Sequence, residues 1–543
     1  MRKQSDWTLV DLVRRQAERY GEREFLSFEG RESLSFAALH QRSDRLAAGM
    51  RLRGVDPGDR VLMLVGNRIE FLLTMFAAVK LGAIFVPVNT ELRGDFLAHQ
   101  LANADPRLVV VDAPLVASFE GIVHDAAEPA HVLVTAGPVP GDVPEVFAGA
   151  SIEDFAVFEA EAPAEPFAAA DARPHDIAAI MYTSGTTGPA KGVLMPHAHL
   201  YLFAIGIEHC LKPDENDVYY VAMPLFHANG LFMQVLASLY GGTRVYLVER
   251  FSPNRWLDEV IACGATLTNA LGVMPEFIYN TPENPRDRDH KLRAVVAVPI
   301  GKDWGEGFER RFGVKILQGF GMTECNMPVY GRLDEEGIVP GCAGYVLDEY
   351  WEVAIGDPET DDLLPVGEIG EILIRPKVAG GFSAGYYRMP EKTVEAWRNL
   401  WFHTGDAARF DEWGRLHYID RIKDCIRRRG ENISAYEVEQ VINQHPQVAE
   451  SAVVGVKVAG AGGEEEVMAV VVPEGAAIVD PRSLLDFCVP RMPRFAVPRF
   501  VEIVNALDKT ASGKLRKQAL RDQGLGGATW DRESVGYELP RRA

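Results

Sequence analysis

The chain has 543 residues, 47% hydrophobic and 24% charged, the balance of a soluble globular protein rather than a disordered or fibrous one. Its length suits several compact units better than a single core. With 56 Lys and Arg against 77 Asp and Glu, the formal net charge is -21, which argues against nucleic acid and anionic lipid as partners.

An anionic substrate of so acidic a chain needs a locally basic pocket or one lined with backbone donors. Cys210, Cys263, Cys325, Cys342, Cys425 and Cys488 are scattered, with no CxxC pair and no Cys/His spacing suited to zinc. Reduced structural thiols in a cytoplasmic protein are expected. The N-terminus opens basic but meets charges before an apolar core of signal-peptide length forms. The longest apolar stretch, between Arg60 and Val88, is cut by Asn67, Arg68, Glu70 and Lys80, so no membrane span is expected.

In chain order, RVLMLV (60–65), IFVPV (84–88) and RLVVVD (107–112) read as buried strands, with FLLTMFAAVKLG (71–82) a crossover helix ending at Gly82. The stretch from Gly137 to His175 is rich in Ala, Pro, Asp and Glu without periodicity and reads as a surface connection. The strand rhythm returns at 218–226, 243–249, 292–299 and 314–321. Such alternation predicts an α/β fold with parallel layers and ligands at the carboxyl ends of strands. After Asp420 the character changes: an amphipathic helix over 435–450, then strands at 452–456 and 467–473. The expected architecture is a large N-terminal domain of layered α/β subdomains (1–420) and a small, mobile α+β C-terminal domain (421–543). The tail from Asp522 is polar and is expected to be mobile.

The first chemical motif is YTSGTTGPAKG at 182–192. Glycines let backbone N–H groups turn toward a polyphosphate, Thr and Ser hydroxyls add donors, and Lys191 adds a point charge. It is not a Walker A loop, because Gly188 is followed by Pro189 and Ala190 rather than by Lys and Ser or Thr. QGFGMTE (318–324), WFHTGD (401–406), DRIKDCIRRRGENIS (420–434) and KTASGKLRK (509–517) follow in order. A Gly-flanked aromatic offers a face to a base, and Glu324 offers a hard oxygen to a divalent cation. Taken alone, Glu324 reads equally as a loop carboxylate, and Asp406 and Arg421 as halves of surface ion pairs.

Together the five motifs resemble those of the adenylate-forming superfamily, which groups acyl-CoA synthetases, peptide-synthetase adenylation domains and luciferases. The hinge motif and the QGFGMTE segment are most similar to crotonobetaine/carnitine-CoA ligases. The resemblance implies ATP, Mg²⁺ and CoA as cofactors and a small-molecule carboxylic acid as partner. It assigns Thr183, Ser184, Gly185, Thr186, Thr187 and Lys191 to the phosphates. Gln318, Gly319 and Phe320 go to the adenine, with Phe320 where the family has Tyr. Thr323 and Glu324 go to the α-phosphate and the metal, and Asp406 and Arg421 to the ribose and phosphates. Lys423 is the implied hinge, and Gly430, Glu431 and Asn432 line the implied pantetheine channel. Lys514 is the implied catalytic cation of the first half-reaction. The acid pocket by family position draws on His227, Asn229, Met233, Met274, Val298, Pro299, Gly301, Met322 and Asn326. Its two asparagines suggest an acid with a polar group.

Two departures, Ala190 and Asp508 where the family has Pro, remove no functional group. His227 stands where amino-acid-activating relatives carry an Asp for the α-ammonium, which favours CoA as acceptor. The Arg427–Arg429 run reads either as a solvated rim or as a contact for CoA phosphates. Two other readings stay open: adenylation with a different acceptor, and a non-catalytic nucleotide-binding paralogue. The sequence suits a monomer and a homodimer alike.

Overall fold

The structure, a computed structural model, describes all residues except 1–3, 123–127, 166, 184–188, 272–273, 299, 301–303, 336–338, 340, 359, 422–424, 429–430, 459–464, 508–516 and 540–543. For 419–421, 425, 427, 432, 434, 436, 518 and 519 it describes the backbone alone.

Two seven-stranded sheets form the layered body of the N-terminal domain. The first runs Ser151–Asp154, His131–Thr135, Leu108–Asp112, Arg60–Leu64, Ile84–Pro87 and Ile177–Thr183 in parallel, closed by antiparallel Lys191–Pro196. The second places Lys315–Leu317, Ala294–Val298, Leu267–Leu271, Val218–Val221, Arg244–Leu247 and Glu24–Phe28 in parallel, edged by antiparallel Glu32–Ser35. Helix Ile69–Leu81 is buried at every position but Glu70, and helix His197–Leu211 at every position but Glu208 and His209. Helices apolar all round belong between layers, and both join the core cluster that includes residues of the two sheets. Each fully buried Phe, such as Phe71 and Phe76, contributes about 2–3 kcal/mol of apolar transfer. Gly82 ends the first of these helices in the left-handed conformation, with φ 76°, as the sequence predicts.

Alternation misses a third, antiparallel sheet. It runs Gly319–Met322, Asn326–Tyr330, Cys342–Val346, Arg415–Arg421, Trp401–Phe410, Gly370–Pro376 and Trp351–Gly356. The segment read as one strand at 314–321 is therefore two, in different sheets, parted at Gln318. The strand expected over 218–226 stops at Val221, because Pro224 cannot continue a ladder; a π-helical turn, Asn229–Leu236, follows. The presumed loop at 137–175 contains the 3₁₀ turn Glu145–Phe147, the strand Ser151–Asp154 and the helix Phe155–Glu161, which Asp154 caps.

The C-terminal domain has its own core around the sheet Val448–Lys457, Glu465–Pro473, Phe500–Ile503 and Trp530–Asp531. Helix Ala435–Asn443 ends earlier than the sequence suggests, since His445 precedes Pro446 and is biased away from helix. The tail is not loose. Trp530 and Asp531 pair with Val501 and Phe500, the Tyr537 hydroxyl donates to Asp486 at 2.6 Å, and Leu539 is buried in the domain core. Two aromatics and a leucine outweigh the polar residues around them. Among the described residues no helix is long and apolar enough to cross a membrane.

Candidate active site

The hairpin Ile177–Thr183/Lys191–Pro196 pairs Thr183 with Lys191, two residues of the first motif, at the end of its ladder. Ser184, Gly185, Thr186 and Thr187 lie outside the described residues. Glu324 faces this end, 5% exposed: its Oε1 accepts from the Tyr386 hydroxyl at 3.0 Å and from Thr183 Oγ1 at 3.4 Å. Lys191 Nζ lies 4.3 Å from the centroid of the Tyr386 ring, a cation–π contact. Burial and the Glu324 carboxylate push the Tyr386 phenol well above its ordinary range, so it stays a donor. Tyr386 thus links the metal-ligand candidate to the phosphate-loop lysine. Sequence reading missed it, because its segment reaches the site through backbone bonds to the distant hairpin, among them the bridge to Val193.

QGFGMTE forms the tight hairpin Gly319–Met322/Asn326–Tyr330, and a Cβ on Gly321 would stand 2.3 Å from the Asn326 carbonyl oxygen. Phe320 is 7% exposed and stacks against Tyr418, their centroids 6.1 Å apart. Gln318 donates to the Val339 carbonyl at 3.1 Å. His199, fully buried and held near pKa 4 by that burial, is neutral and places Nε2 2.9 Å from the Thr323 carbonyl, fixing the motif's backbone. Sequence gave no sign of His199, which sits inside an apolar helix.

Asp406 is 3% exposed and lies directly across the ladder from Arg421. The ladder thus brings these two expected nucleotide ligands together. Cys325 marks the convergence of the motif carboxylates: burial, Glu324 and Asp406 together raise its thiol well above the ordinary range.

The acid-pocket residues divide. Asn229 accepts from Asn269 Nδ2 at 3.1 Å and turns its own Nδ2 to the Met233 sulfur at 3.5 Å; Asn269 in turn accepts from the Tyr219 hydroxyl at 2.5 Å. Val298 ends its strand, Met274 opens the helix Met274–Tyr279, and Met322 pairs with Asn326. Asn326 does not serve as a substrate amide in this arrangement. With φ 71°, it donates to the His199 carbonyl at 2.7 Å and accepts from the Met327 N–H at 2.7 Å. Its amide is satisfied by backbone, which removes one of the two reasons for expecting a polar acid. Pro299 and Gly301 lie outside the described residues.

The C-terminal domain closes one side. Glu431 Oε1 is 3.5 Å from His227 Nε2, joining an expected channel residue to an expected pocket residue. Glu437, in the first turn of helix Ala435–Asn443, accepts from the Ala190 N–H at the exit of the phosphate loop. Burial pushes its carboxyl up to about 7. His99 Nε2 lies 2.9 Å from the carbonyl of the same Ala190. Arg428 is no contact for CoA: it is 2% exposed, ion-paired to Glu466 at 2.6 Å and donating to the Phe495 carbonyl at 2.7 Å. The side chains of Arg421, Arg427 and Asn432, and the whole of Lys423, Arg429, Gly430 and Lys514, lie outside what is described.

The described residues pair Thr183 with Lys191, set Glu324 against Thr183 and place Asp406 across the ladder from Arg421, and the chain belongs to the AMP-binding enzyme family. The AMP-binding enzyme family matches residues 13–387, and the AMP-binding enzyme C-terminal domain matches 437–514. The chain is 31% identical over 509 residues to the crotonobetaine/carnitine–CoA ligase of Salmonella typhi, covering 92% of this chain and 96% of the relative. Among solved structures it is similar to a double mutant of o-succinylbenzoate CoA synthetase from Bacillus subtilis bound with the product analogue OSB-NCoA. That match has TM-score 0.80 and 25% identity, covering 96% of this chain and 99% of the other. The amide bond synthetase McbA of Marinactinospora thermotolerans matches with TM-score 0.80 and 26% identity, covering 94% and 99%. ATP-bound MatB of Rhodopseudomonas palustris matches with TM-score 0.66 and 28% identity, covering 97% and 100%.

Proposed function

We propose that this chain, an AMP-forming acyl-CoA synthetase, joins a small or medium carboxylic acid bearing a polar group to CoA in two half-reactions. In the first, a carboxylate oxygen of the acid attacks the α-phosphorus of ATP and pyrophosphate leaves, giving the acyl-AMP. In the second, the CoA thiol loses its proton and attacks the acyl carbon, and AMP leaves. The observation that carries this reading is the cluster at the end of the hairpin ladder, where Glu324, Thr183, Tyr386 and Lys191 meet.

The residue roles follow from charge. Thr183, Ser184, Gly185, Thr186, Thr187 and Lys191 take the phosphates, Gln318, Gly319 and Phe320 the adenine, and Asp406 and Arg421 the ribose. Lys514 lies between carboxylate and α-phosphate in the first half-reaction, where it opposes their repulsion. Glu324 presents a single hard oxygen at the phosphate loop, a donor suited to magnesium held mostly by phosphates. Bound there, the metal would neutralise phosphate charge.

The lid domain, beginning near residue 421 and hinged at Lys423, stands in the arrangement of the second half-reaction. One observation supports this: Glu437 occupies a backbone donor beside the loop that would hold polyphosphate. In the acid pocket Asn229 keeps its amide hydrogens on the side away from Asn269, which favours an acid carrying an acceptor oxygen. A second reading, transfer of the acyl group to an amine, draws on the likeness to McbA.

A panel of acids, including crotonobetaine, carnitine, dicarboxylic, hydroxy and plain aliphatic acids, tests the proposal by AMP release with and without CoA. We expect release coupled to CoA consumption with one acceptor-bearing class. Release coupled to an amine and not to CoA would favour the second reading, and ATP binding without release from any acid would contradict both.

A further inference from the structure

We infer that Glu371 is a positioning residue: its carboxylate, clamped by His403, holds the Thr404–Gly405–Asp406 bulge in the shape that aims Asp406 at the nucleotide ribose. The inference rests on the ribose role proposed for Asp406.

The strand Gly370–Pro376 pairs with Trp401–Phe410, but the pairing loses register between Glu371 and Leu373. Glu371 lies opposite Ala407, whereas Leu373 lies opposite His403. One residue on the first strand therefore faces three on the second, and the three are Thr404, Gly405 and Asp406. A bulge of this kind re-aims a side chain that regular pleating would point elsewhere.

Two polar groups hold it. The Gly405 N–H donates to Glu371 Oε1 at 2.8 Å, while Thr404 Oγ1 donates to the Ile372 carbonyl at 2.8 Å and accepts from the Asp406 N–H at 3.1 Å. Gly405 has φ 73°, so the turn uses backbone that other residues adopt only under strain. Glu371 is 6% exposed at the head of the apolar run EILIRP, an expensive place for a carboxylate unless its partners are fixed. They are fixed: the second oxygen, Oε2, lies 2.8 Å from His403 Nδ1, and that ring is itself buried. Arg398 Nη2 stands 2.9 Å from the same His403 Nδ1 and 3.9 Å from Glu371 Oε2, and is held by Asp361 at 2.9 Å. Each carboxylate oxygen of Glu371 thus has a separate task, one on the bulge and one on its anchor.

The test is nucleotide binding by the full chain, with ATP, 2′-deoxy-ATP and 3′-deoxy-ATP as probes, measured by calorimetry for wild type, Glu371→Ala, Glu371→Gln and Asp406→Asn. Wild type is expected to favour ATP over the deoxy analogues about tenfold, the value of a hydrogen bond to a charged group. Asp406→Asn should lose that preference. Glu371→Ala should lose most of it with the thermal melt still cooperative. Glu371→Gln, which keeps an acceptor for the Gly405 N–H, should keep about a third. If Glu371→Ala proves unfolded, the Gln variant decides, and wild-type preference in it would overturn the inference. Preference unchanged in both Glu371 variants while Asp406→Asn loses it would likewise overturn the positioning role. Preference unchanged in Asp406→Asn would instead remove the ribose reading on which the inference stands.

Discussion

Tyr386 carries a testable share of the site at the level of single residues. Its hydroxyl donates to a buried carboxylate, and its ring receives the phosphate-loop lysine, so one side chain orients groups from two motifs. Tyr386→Phe keeps the ring and removes the donor, leaving Glu324 Oε1 with Thr183 Oγ1. We expect ATP-dependent pyrophosphate release to fall about tenfold, the worth of a hydrogen bond to a charged group. The thioester step, measured from a supplied acyl-AMP, should change little. An equal loss in both steps would mean that Tyr386 supports the fold rather than the nucleotide.

Helix Ala435–Asn443 docking on the phosphate hairpin gives a prediction at the level of elements. Glu437 has its carboxyl raised from 4.5 to about 7 by burial, the Ala190 N–H acting in the opposite sense. An acid with a raised pKa in the docked state holds its proton more tightly there. Docking is therefore strongest below pH 4.5 and weakens as pH rises toward 7. His99 and Lys191 flank the same residue, so the Gln variant assigns the titration. Energy transfer between dyes on the two domains should report less docking as pH rises through that window, and a flat profile in Glu437→Gln. The same pH dependence in the variant would remove Glu437 from the contact.

The sequence shows most where chemistry is local. Thr183, Lys191, Glu324 and Asp406 belong to short motifs whose residue types state their use, and the hairpin and bulge bring each to the site. It shows least where the partner is distant. Tyr386, His199 and Glu371 lie outside the five motifs, and their roles come from contacts across the fold. Of the three, only Glu371 left a trace, a carboxylate opening an apolar run. The breaks at Gln318 and Val221 escaped notice because β-branched runs mark strands but not which sheet receives them. The ordered tail escaped because Trp530, Tyr537 and Leu539 are too few to register against polar neighbours, yet Leu539 is buried and the two aromatics pack against the domain core.

At the level of the whole molecule, one large domain carries the nucleotide motifs, and a smaller domain with its own core reaches back to them through Glu431 and Glu437. The function proposed above separates the two half-reactions between lid positions. The central claim is that Lys514 serves the first and not the second. Single-turnover measurement of both steps in Lys514→Ala tests it: pyrophosphate release from ATP and acid, and acyl-CoA formation from supplied acyl-AMP and CoA. The account predicts that the first falls on the order of 10²–10³-fold while the second stays near wild type. Equal loss in both steps, or none in the first, would contradict it.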